Sequence, residues 1–377
     1  MHEWDVPALL TADPFSVRYA TGTRNMLVHG LTGPDRLALV IAGGPTILWE
    51  FGGCEHLWNG FDGIDELRVA PALSAKKGST YRVEATEFAA EVVAACHTHL
   101  GSGAVQLAVE RLDPPVVDRL RSHDVRVCDA TEVMQAAMAI KQPAEIGAMR
   151  LAMDATIAAT CEMERAIAAG STEQEVWAEF HRALIARGGE LVVSRLLQGG
   201  VRTFPYFQEA SHHVISSGDL VCFDTDAVAC HGYSVDFSRT FLCGVDEPTE
   251  RQRHLYRLAQ EQLLHNAVNL RPGRSFEDFA RLAYDVPEPH RRYGYYQLAH
   301  GLGLAGGHPN VPRIGDEPYP LPGSIEPGMV ICVESYVGDP DTHQGVKLED
   351  QFLITDDGVE KMSAYPFEER LSTPISS

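Results

Sequence analysis

The stretch Val221–Thr240, VCFDTDAVACHGYSVDFSRT, constrains this chain more than any other, because it sets three carboxylates on what reads as buried strand. Two short apolar runs flank a Gly-containing turn, a pattern that predicts a hairpin. Side chains repeat every two residues along a strand, which puts Asp224 and Asp226 on one face and Asp236 opposite them on the returning strand. A lone carboxylate among Val, Cys and Phe is costly to bury, and three together repel strongly. Either the hairpin edge is solvated and its acids exposed, or cations hold the acids together. The stretch alone leaves both open.

The 377 residues are 45% hydrophobic and 22% charged, the balance of a soluble globular protein with room for two domains. A formal net charge of −21 argues against nucleic acid or an anionic membrane surface as partner, although bound divalent cations would invert the field locally. No run is long enough to span a bilayer, and the opening MHEWDVPALLTADP lacks the basic region and apolar core of a secretion signal. The eight cysteines form no C-x-x-C pair. These features predict a cytoplasmic protein whose reduced thiols serve mostly as small core residues.

Residues 1–130 read as alternating strands and helices. Leu37–Ala42 and Pro45–Phe51 form a hairpin pattern about Gly43-Gly44, Glu87–His99 is helical, and Asp113-Pro114-Pro115 opens another helix between strand patterns at Ala104–Val109 and Val125–Cys128. Cys96-His97-Thr98-His99 offers ligand-type residues, but helical neighbours one and two apart do not face one site. Ala139–Glu145 reads as a junction, giving an α/β domain over 1–138 and a second domain over 139–377. Helical patterns follow at Glu145–Ala169 and Glu173–Arg187, the latter opened by a Thr172/Glu175 capping box, then at Glu250–Leu270 and Ser275–Tyr284.

Gly301-x-Gly303-x-x-Gly306 matches a dinucleotide-binding fingerprint in letters only, because Pro309 and Pro312 forbid the helix that must follow. The glycines instead suit a backbone passing close to a site that includes His300. The last third is strand-rich, with Glu334 inside the apolar run Met329–Val337 and Glu349 at the centre of Gly345–Ile354. Singly, each is an ordinary surface carboxylate. Asp224, Asp226, Asp236, His300, Glu334 and Glu349 together form a hard-donor set that suits two divalent transition-metal ions (Fe, Mn, Zn or Co) rather than a thiolate site.

At these residues the chain resembles the pita-bread metalloenzymes: methionine aminopeptidase, prolidase, aminopeptidase P and creatinase. Asp236-Phe-Ser-Arg-Thr240, His300-Gly-Leu-Gly303, Pro327-Gly-Met-Val-Ile-Cys-Val-Glu334 and Gly345-Val-Lys-Leu-Glu-Asp350 carry the resemblance, with Ile140-Lys141-x-x-x-Glu145 at the junction. It implies an α+β pita-bread catalytic domain behind an α/β domain, and a homodimer. The implied ligands are Asp224 or Asp226, then Asp236, His300, Glu334 and Glu349.

The departures bear on function. Asp226 stands where the peptidases keep Gly. Their two substrate-binding histidines have no clear match, since Phe207 and Gly307 are near those places and His308 is one step further on. Arg202–Glu209, Phe223–Asp226 and Tyr365-Pro366-Phe367 look like the dimethylsulfoniopropionate lyases of this fold, whose extra metal-shell Asp corresponds to Asp226. The catalytic-base Asp of those lyases corresponds to Gly306, which has no side chain to accept a proton.

The sequence therefore predicts a metal-dependent enzyme for a small polar or zwitterionic molecule, first of all a non-peptidase hydrolase of C–N or amide bonds. A β-eliminase of the dimethylsulfoniopropionate type, an Xaa-Pro dipeptidase and a non-catalytic binding module are the alternatives. His308 is the expected acid/base, Glu334 a ligand and proton carrier, and Tyr206, Phe207 and Glu209 the expected substrate contacts.

Overall fold

The computed structural model describes residues 1, 4–74, 78, 80–123, 125–315 and 321–372. The chain divides into two compact units, Met1–Met138 and Ala139–Ser377.

The first unit is built on a mixed six-stranded sheet. Its strands are β1 (Ala8–Thr11), β2 (Leu37–Ile41), β3 (Thr46–Glu50), β4 (Glu66–Val69), β5 (Val105–Glu110) and β6 (Val125–Asp129), in the order β4-β3-β2-β1-β5-β6. β2 and β3 pair antiparallel, as the apolar runs about Gly43-Gly44 predict. β1 is too short to carry a periodic signal, yet it is central, antiparallel to β2 and parallel to β5. Helices α1 (Pro14–Thr21), α2 (Leu27–Gly30), α3 (Tyr81–Leu100), α4 (Pro114–Arg121) and α5 (Thr131–Ala139), with a short 3-10 turn at Glu55–Leu57, accompany the sheet up to the junction. Phe88, Val92 and Cys96 of α3 are buried in the same core as Leu10, Leu39 and Trp49 of the sheet. Burial of each large apolar side chain stabilises by roughly 1.5–3 kcal/mol. Cys96 is thus a core residue, and neither group of side chains able to hold an ion among the described residues includes it.

The second unit begins with α6 (Pro143–Ala166) and α7 (Glu173–Ala186), two helices that pack on each other. Thr172 caps α7 by accepting from the Glu175 backbone N–H, while the Glu175 carboxylate accepts from the Thr172 N–H, the reciprocal box written in the sequence. Three sheets follow. Strands β8 (Leu197–Gly199), β9 (Leu220–Asp224) and β12 (Ser238–Leu242) form one, in the order β12-β9-β8. β7 (Leu191–Val192), β10 (Ala227–Val228) and β11 (Ser234–Val235) form a second. The largest is β14-β13-β15-β16-β17, made of β13 (Gln297–Leu302), β14 (Gly306–Pro312), β15 (Val330–Asp339), β16 (Gln344–Ile354) and β17 (Val359–Lys361). Helix α8 (Glu250–Asn269) packs on β15 and β16, burying Leu255, Ala259 and Leu263, and α9 (Phe276–Arg281) lies against β14.

Two expectations need correcting. Val221–Thr240 is not one hairpin closed by a turn: β9 and β12 do pair antiparallel, but the segment between them enters a different sheet as β10 and β11. The Gly-rich stretch after His300 is itself a strand pair, β13 and β14. A Cβ on Gly301 would lie 2.1 Å from the His308 carbonyl oxygen, so a side chain there is excluded by β14 rather than by a ligand phosphate. Gly306 opens the strand β14, not a helix.

Candidate metal centre

Five of the six expected ligands come together in the second unit. Asp224 closes β9 and is the register partner of Ser238, while Glu334 of β15 and Glu349 of β16 are register partners of each other. His300 enters from the neighbouring strand β13, opposite Cys332. Its Nε2 lies 3.3 Å from Glu334 Oε1, 3.4 Å from Glu349 Oε1 and 3.8 Å from Asp236 Oδ2. Asp224, Glu334 and Glu349 are buried, and two oxygens, Asp236 Oδ1 and Glu349 Oε1, have no hydrogen-bond partner. A buried, unpartnered carboxylate oxygen is expensive, so this donor set fits a cation. Asp224, Asp236 and Glu349 are one group close enough to hold an ion, and His300, Cys332 and Glu349 are another.

The electrostatics tell the same story. Burial, then Glu349, Asp226, Asp224 and Glu334, push the Asp236 carboxyl well above the usual carboxylate range. Burial and Glu334 likewise raise Glu349. Burial works against the charged form of His300, but Glu334 and Glu349 outweigh it and raise the imidazole to about 10. A cation among these groups would relieve the first two and take the imidazole lone pair instead.

Asp226 is held differently. Strand geometry stops at Asp224, and Asp226 adopts φ +37°, a left-handed conformation that Asp tolerates better than most side chains. This explains why a glycine suits the position and why Asp is the replacement found. The shared strand face expected of Asp224 and Asp226 is therefore not the relationship in the structure. One Asp226 oxygen bonds to Ser194 Oγ, and burial, then Asp224, raise its carboxyl to about 6.

Sequence reasoning missed the buried cation at the centre. Lys347 Nζ donates to Glu334 Oε2 and to Ser238 Oγ, each at 2.6 Å, and to Glu349 Oε2 at 2.9 Å. Burial opposes its charge, but Asp224, Glu334 and Glu349 hold the ammonium well above its ordinary pKa. The findable signal was its place two residues before Glu349, on the same strand face. Cys332, which burial and Glu349 push well up, was missed for a related reason: its proximity to His300 runs across strands.

Of the expected substrate contacts, Tyr206 is in the centre, donating its hydroxyl to Asp224 Oδ2 at 2.7 Å. It belongs to an aromatic wall. Its ring centroid is 4.9 Å from Phe207 and 5.7 Å from Tyr295, and Tyr295 is 4.8 Å from Tyr296. Phe207, at φ +63°, remains 56% exposed. Tyr295 and Tyr296 were not anticipated. Glu209 is drawn off to Arg195, 2.7 Å away and more than half exposed, so it is not brought into the cluster. His308 packs its ring edge-on against Phe276 at 5.4 Å. Burial lowers its pKa, against the pull of Glu326 and with the help of Lys141, and none of the five clustered ligands is among those influences. The expected acid/base is thus turned toward α9.

A pita-bread catalytic unit with a carboxylate–imidazole centre is the class that fold and site define, and the chain belongs to metallopeptidase family M24, matched over residues 147–356. Among its relatives, the dimethylsulfoniopropionate lyase DddP of Roseovarius nubinhibens is 33% identical over 378 residues, covering 97% of this chain and 84% of the relative. The protein of the same name from Roseobacter denitrificans is 32% identical, covering 96% and 83%. The Xaa-Pro dipeptidase structure from Bacillus anthracis superposes with a TM-score of 0.78 at 20% identity, covering 97% of this chain and 95% of that one. The Pyrococcus furiosus prolidase gives 0.76 at 22% identity, covering 97% and 98%. At those identities the structural likeness speaks for the fold. The chain is therefore an enzyme of a metal-dependent family, and no helix among its described residues is long and apolar enough to cross a membrane.

Proposed function

We propose that this enzyme acts on a small zwitterion that joins a carboxylate to an onium cation, and that it cleaves such a substrate by β-elimination. The observation that carries the reading is the aromatic wall of Tyr206, Phe207, Tyr295 and Tyr296 standing directly beside the carboxylate–imidazole centre. Ring faces attract a sulfonium or quaternary ammonium by roughly 0.5–2 kcal/mol per contact. The name of the relatives that match nearly the whole chain, dimethylsulfoniopropionate lyase, supports the same substrate class.

Asp224, Asp236, His300, Glu334 and Glu349 would hold two divalent metal ions, for which Fe, Mn, Zn and Co suit the donors. When bound, they would supply Lewis-acid polarisation of the substrate carboxylate. The chain's own part is orientation: the aromatic wall fixes the onium end, and the Tyr206–Asp224 hydrogen bond keeps that wall in register with the centre. In the elimination a base removes the proton α to the carboxylate. The C–H electrons become the new C=C bond, and the C–S bond breaks with its pair leaving on a neutral sulfide.

Gly306 favours a second reading. Its place is exposed and empty of side chain, and His308 faces Phe276, so neither residue offers the elimination a proton acceptor at the centre. Hydrolysis of a C–N or amide bond in the same class of zwitterion does not require that acceptor. In either reading the protein works as a cytoplasmic homodimer on a small molecule, without a nucleic-acid or membrane partner.

Metal-loaded protein incubated with dimethylsulfoniopropionate, followed by headspace detection of dimethyl sulfide, separates the two. Release of dimethyl sulfide with a matching amount of acrylate is expected. Calorimetric binding of the sulfonium without release would leave the substrate class and remove the elimination. No binding of any sulfonium or betaine would remove both.

A further inference from the structure

The two groups of side chains close enough to hold an ion share Glu349 and differ in kind. Asp224, Asp236 and Glu349 offer oxygen alone. His300, Cys332 and Glu349 offer a ring nitrogen, a sulfur and an oxygen, all within 4.8 Å of one another. The strands explain why sulfur stands there. Cys332 lies two residues before Glu334 on β15, so the two share a face, and across the sheet it is the register partner of His300. Its side chain is wholly buried, and its Sγ donates to the Asp236 carbonyl oxygen at 3.6 Å, a weak contact for a weak donor. Neither group among the described residues includes another of the eight cysteines. A second feature points into the same place. Glu349 Oε1 is buried without a hydrogen-bond partner and lies 3.4 Å from His300 Nε2.

We infer that the Cys332 sulfur is a ligand of the ion held by His300 and Glu349, which makes one of the two metal positions a mixed nitrogen, oxygen and sulfur site. Bonds of about 2.3 Å to sulfur and about 2.0–2.1 Å to nitrogen or oxygen place tetrahedral donors about 3.5 Å apart, so the group has roughly 1 Å to close. A modest turn about the Cys332 Cα–Cβ bond supplies that without moving β15. As the metal–sulfur bond forms, the S–H proton passes to solvent and its electron pair stays on sulfur for the metal. Thiolate is a soft donor, and it shifts the preference of this position from Mn²⁺ toward Co²⁺ and Zn²⁺. Sulfur ligation of this kind rests on the bound ions of the proposed function and on nothing about the substrate.

The test is cobalt spectroscopy. Wild-type protein and Cys332→Ser, each stripped by a chelator and reloaded with Co²⁺, are compared in the near ultraviolet and the visible. Visible d–d bands are expected of both, and a near-ultraviolet sulfur-to-cobalt charge-transfer band of the wild type alone. In competition between Zn²⁺ and Mn²⁺, read as metal per chain by mass spectrometry, the preference for zinc should fall at least about tenfold in Cys332→Ser. Visible bands without the charge-transfer band in the wild type, a charge-transfer band that survives Cys332→Ser, or an unchanged preference for zinc would overturn the inference. Wild-type protein that takes up no cobalt would overturn the metal centre along with it. Should Cys332→Ser not fold by circular dichroism, X-ray absorption of the zinc-loaded wild type carries the test. A sulfur shell at about 2.3 Å supports the ligand, and nitrogen and oxygen alone overturn it.

Discussion

Glu334 and Glu349 face each other as register partners across β15 and β16, and a single ammonium joins one oxygen of each while the other two turn toward His300. Every carboxylate in this arrangement is thus shared between a fixed internal cation and an exchangeable one. The outcomes below follow from that sharing and from the strands that support it.

Glu349→Ala should abolish activity and strip the protein of metal. Loss of a mere outer partner of a ligand costs about 10–100-fold in metal affinity, and a ligand itself costs more. Metal content after dialysis and the circular dichroism spectrum are the checks. A folded variant with undiminished metal would refute the ligand role.

Gly301→Ala tests the backbone rather than the ligands. The new methyl would stand 2.1 Å from the His308 carbonyl oxygen, so β14 must move away from β13. Overpacking of this kind costs on the order of 1–3 kcal/mol. Because Gly301 adjoins His300, a lower urea midpoint should be accompanied by weaker metal retention. A variant that loses stability but binds metal as before would show His300 to be positioned from elsewhere.

Tyr295→Leu addresses the aromatic wall. Removal of one ring face from an onium site should raise the KM for a sulfonium or betaine substrate by roughly 2- to 30-fold, the span of one cation–π contact. Turnover at saturation should change much less. The same variant should barely affect the binding of an uncharged carboxylate of equal size, and equal losses for both would argue against an onium site.

How much of this was legible in the sequence depends on the direction in which each signal runs. Helices with capping boxes, such as α7 behind Thr172 and Glu175, were written locally, as were the apolar strands around Glu334 and Glu349. Strands of two residues such as β10 and β11 have no period to read, and the glycines and prolines of β14 argue against the strand that packing imposes. The clustered donors could be picked out because hard donors inside apolar runs are conspicuous. Lys347 was not, because a Lys two residues from a Glu on a strand is ordinary until its burial is known. Tyr295 reaches Lys347, with Nζ 4.8 Å from its ring centre, only through the fold, since 52 positions of sequence separate them. The choice of His308 as base came from nearness in sequence to His300. The irregular pairing after His300 turns it instead toward Phe276.

Lys141 supplies a pH-dependent outcome. It is buried, with Nζ bonded to the Ala139 carbonyl, and burial lowers its pKa from 10.5 to about 8 despite Glu145. Below about pH 8 both folded and unfolded chains carry the proton, and folding bears the full cost of burying it. Between about 8 and 10.5 the unfolded chain keeps the proton and the folded chain releases it, so stability rises with pH across that window. Lys141→Met should therefore be more stable than wild type at pH 7, by ~1–3 kcal/mol, and its advantage should shrink steadily by pH 9.5. Urea midpoints of both proteins at the two pH values provide the measurement, and an advantage independent of pH would contradict the assignment.

The carboxylates of the centre are borne by paired strands or their ends, whereas Tyr206, Phe207, Tyr295 and Tyr296 lie in connecting segments outside any regular strand. Connecting segments accept substitution far more readily than paired strands do. Divergence in such a protein is therefore two-speed. The metal-holding cage can pass unchanged from ancestor to descendant while a few aromatic positions on two loops turn over, and with them the kind of molecule the cage is given to work on.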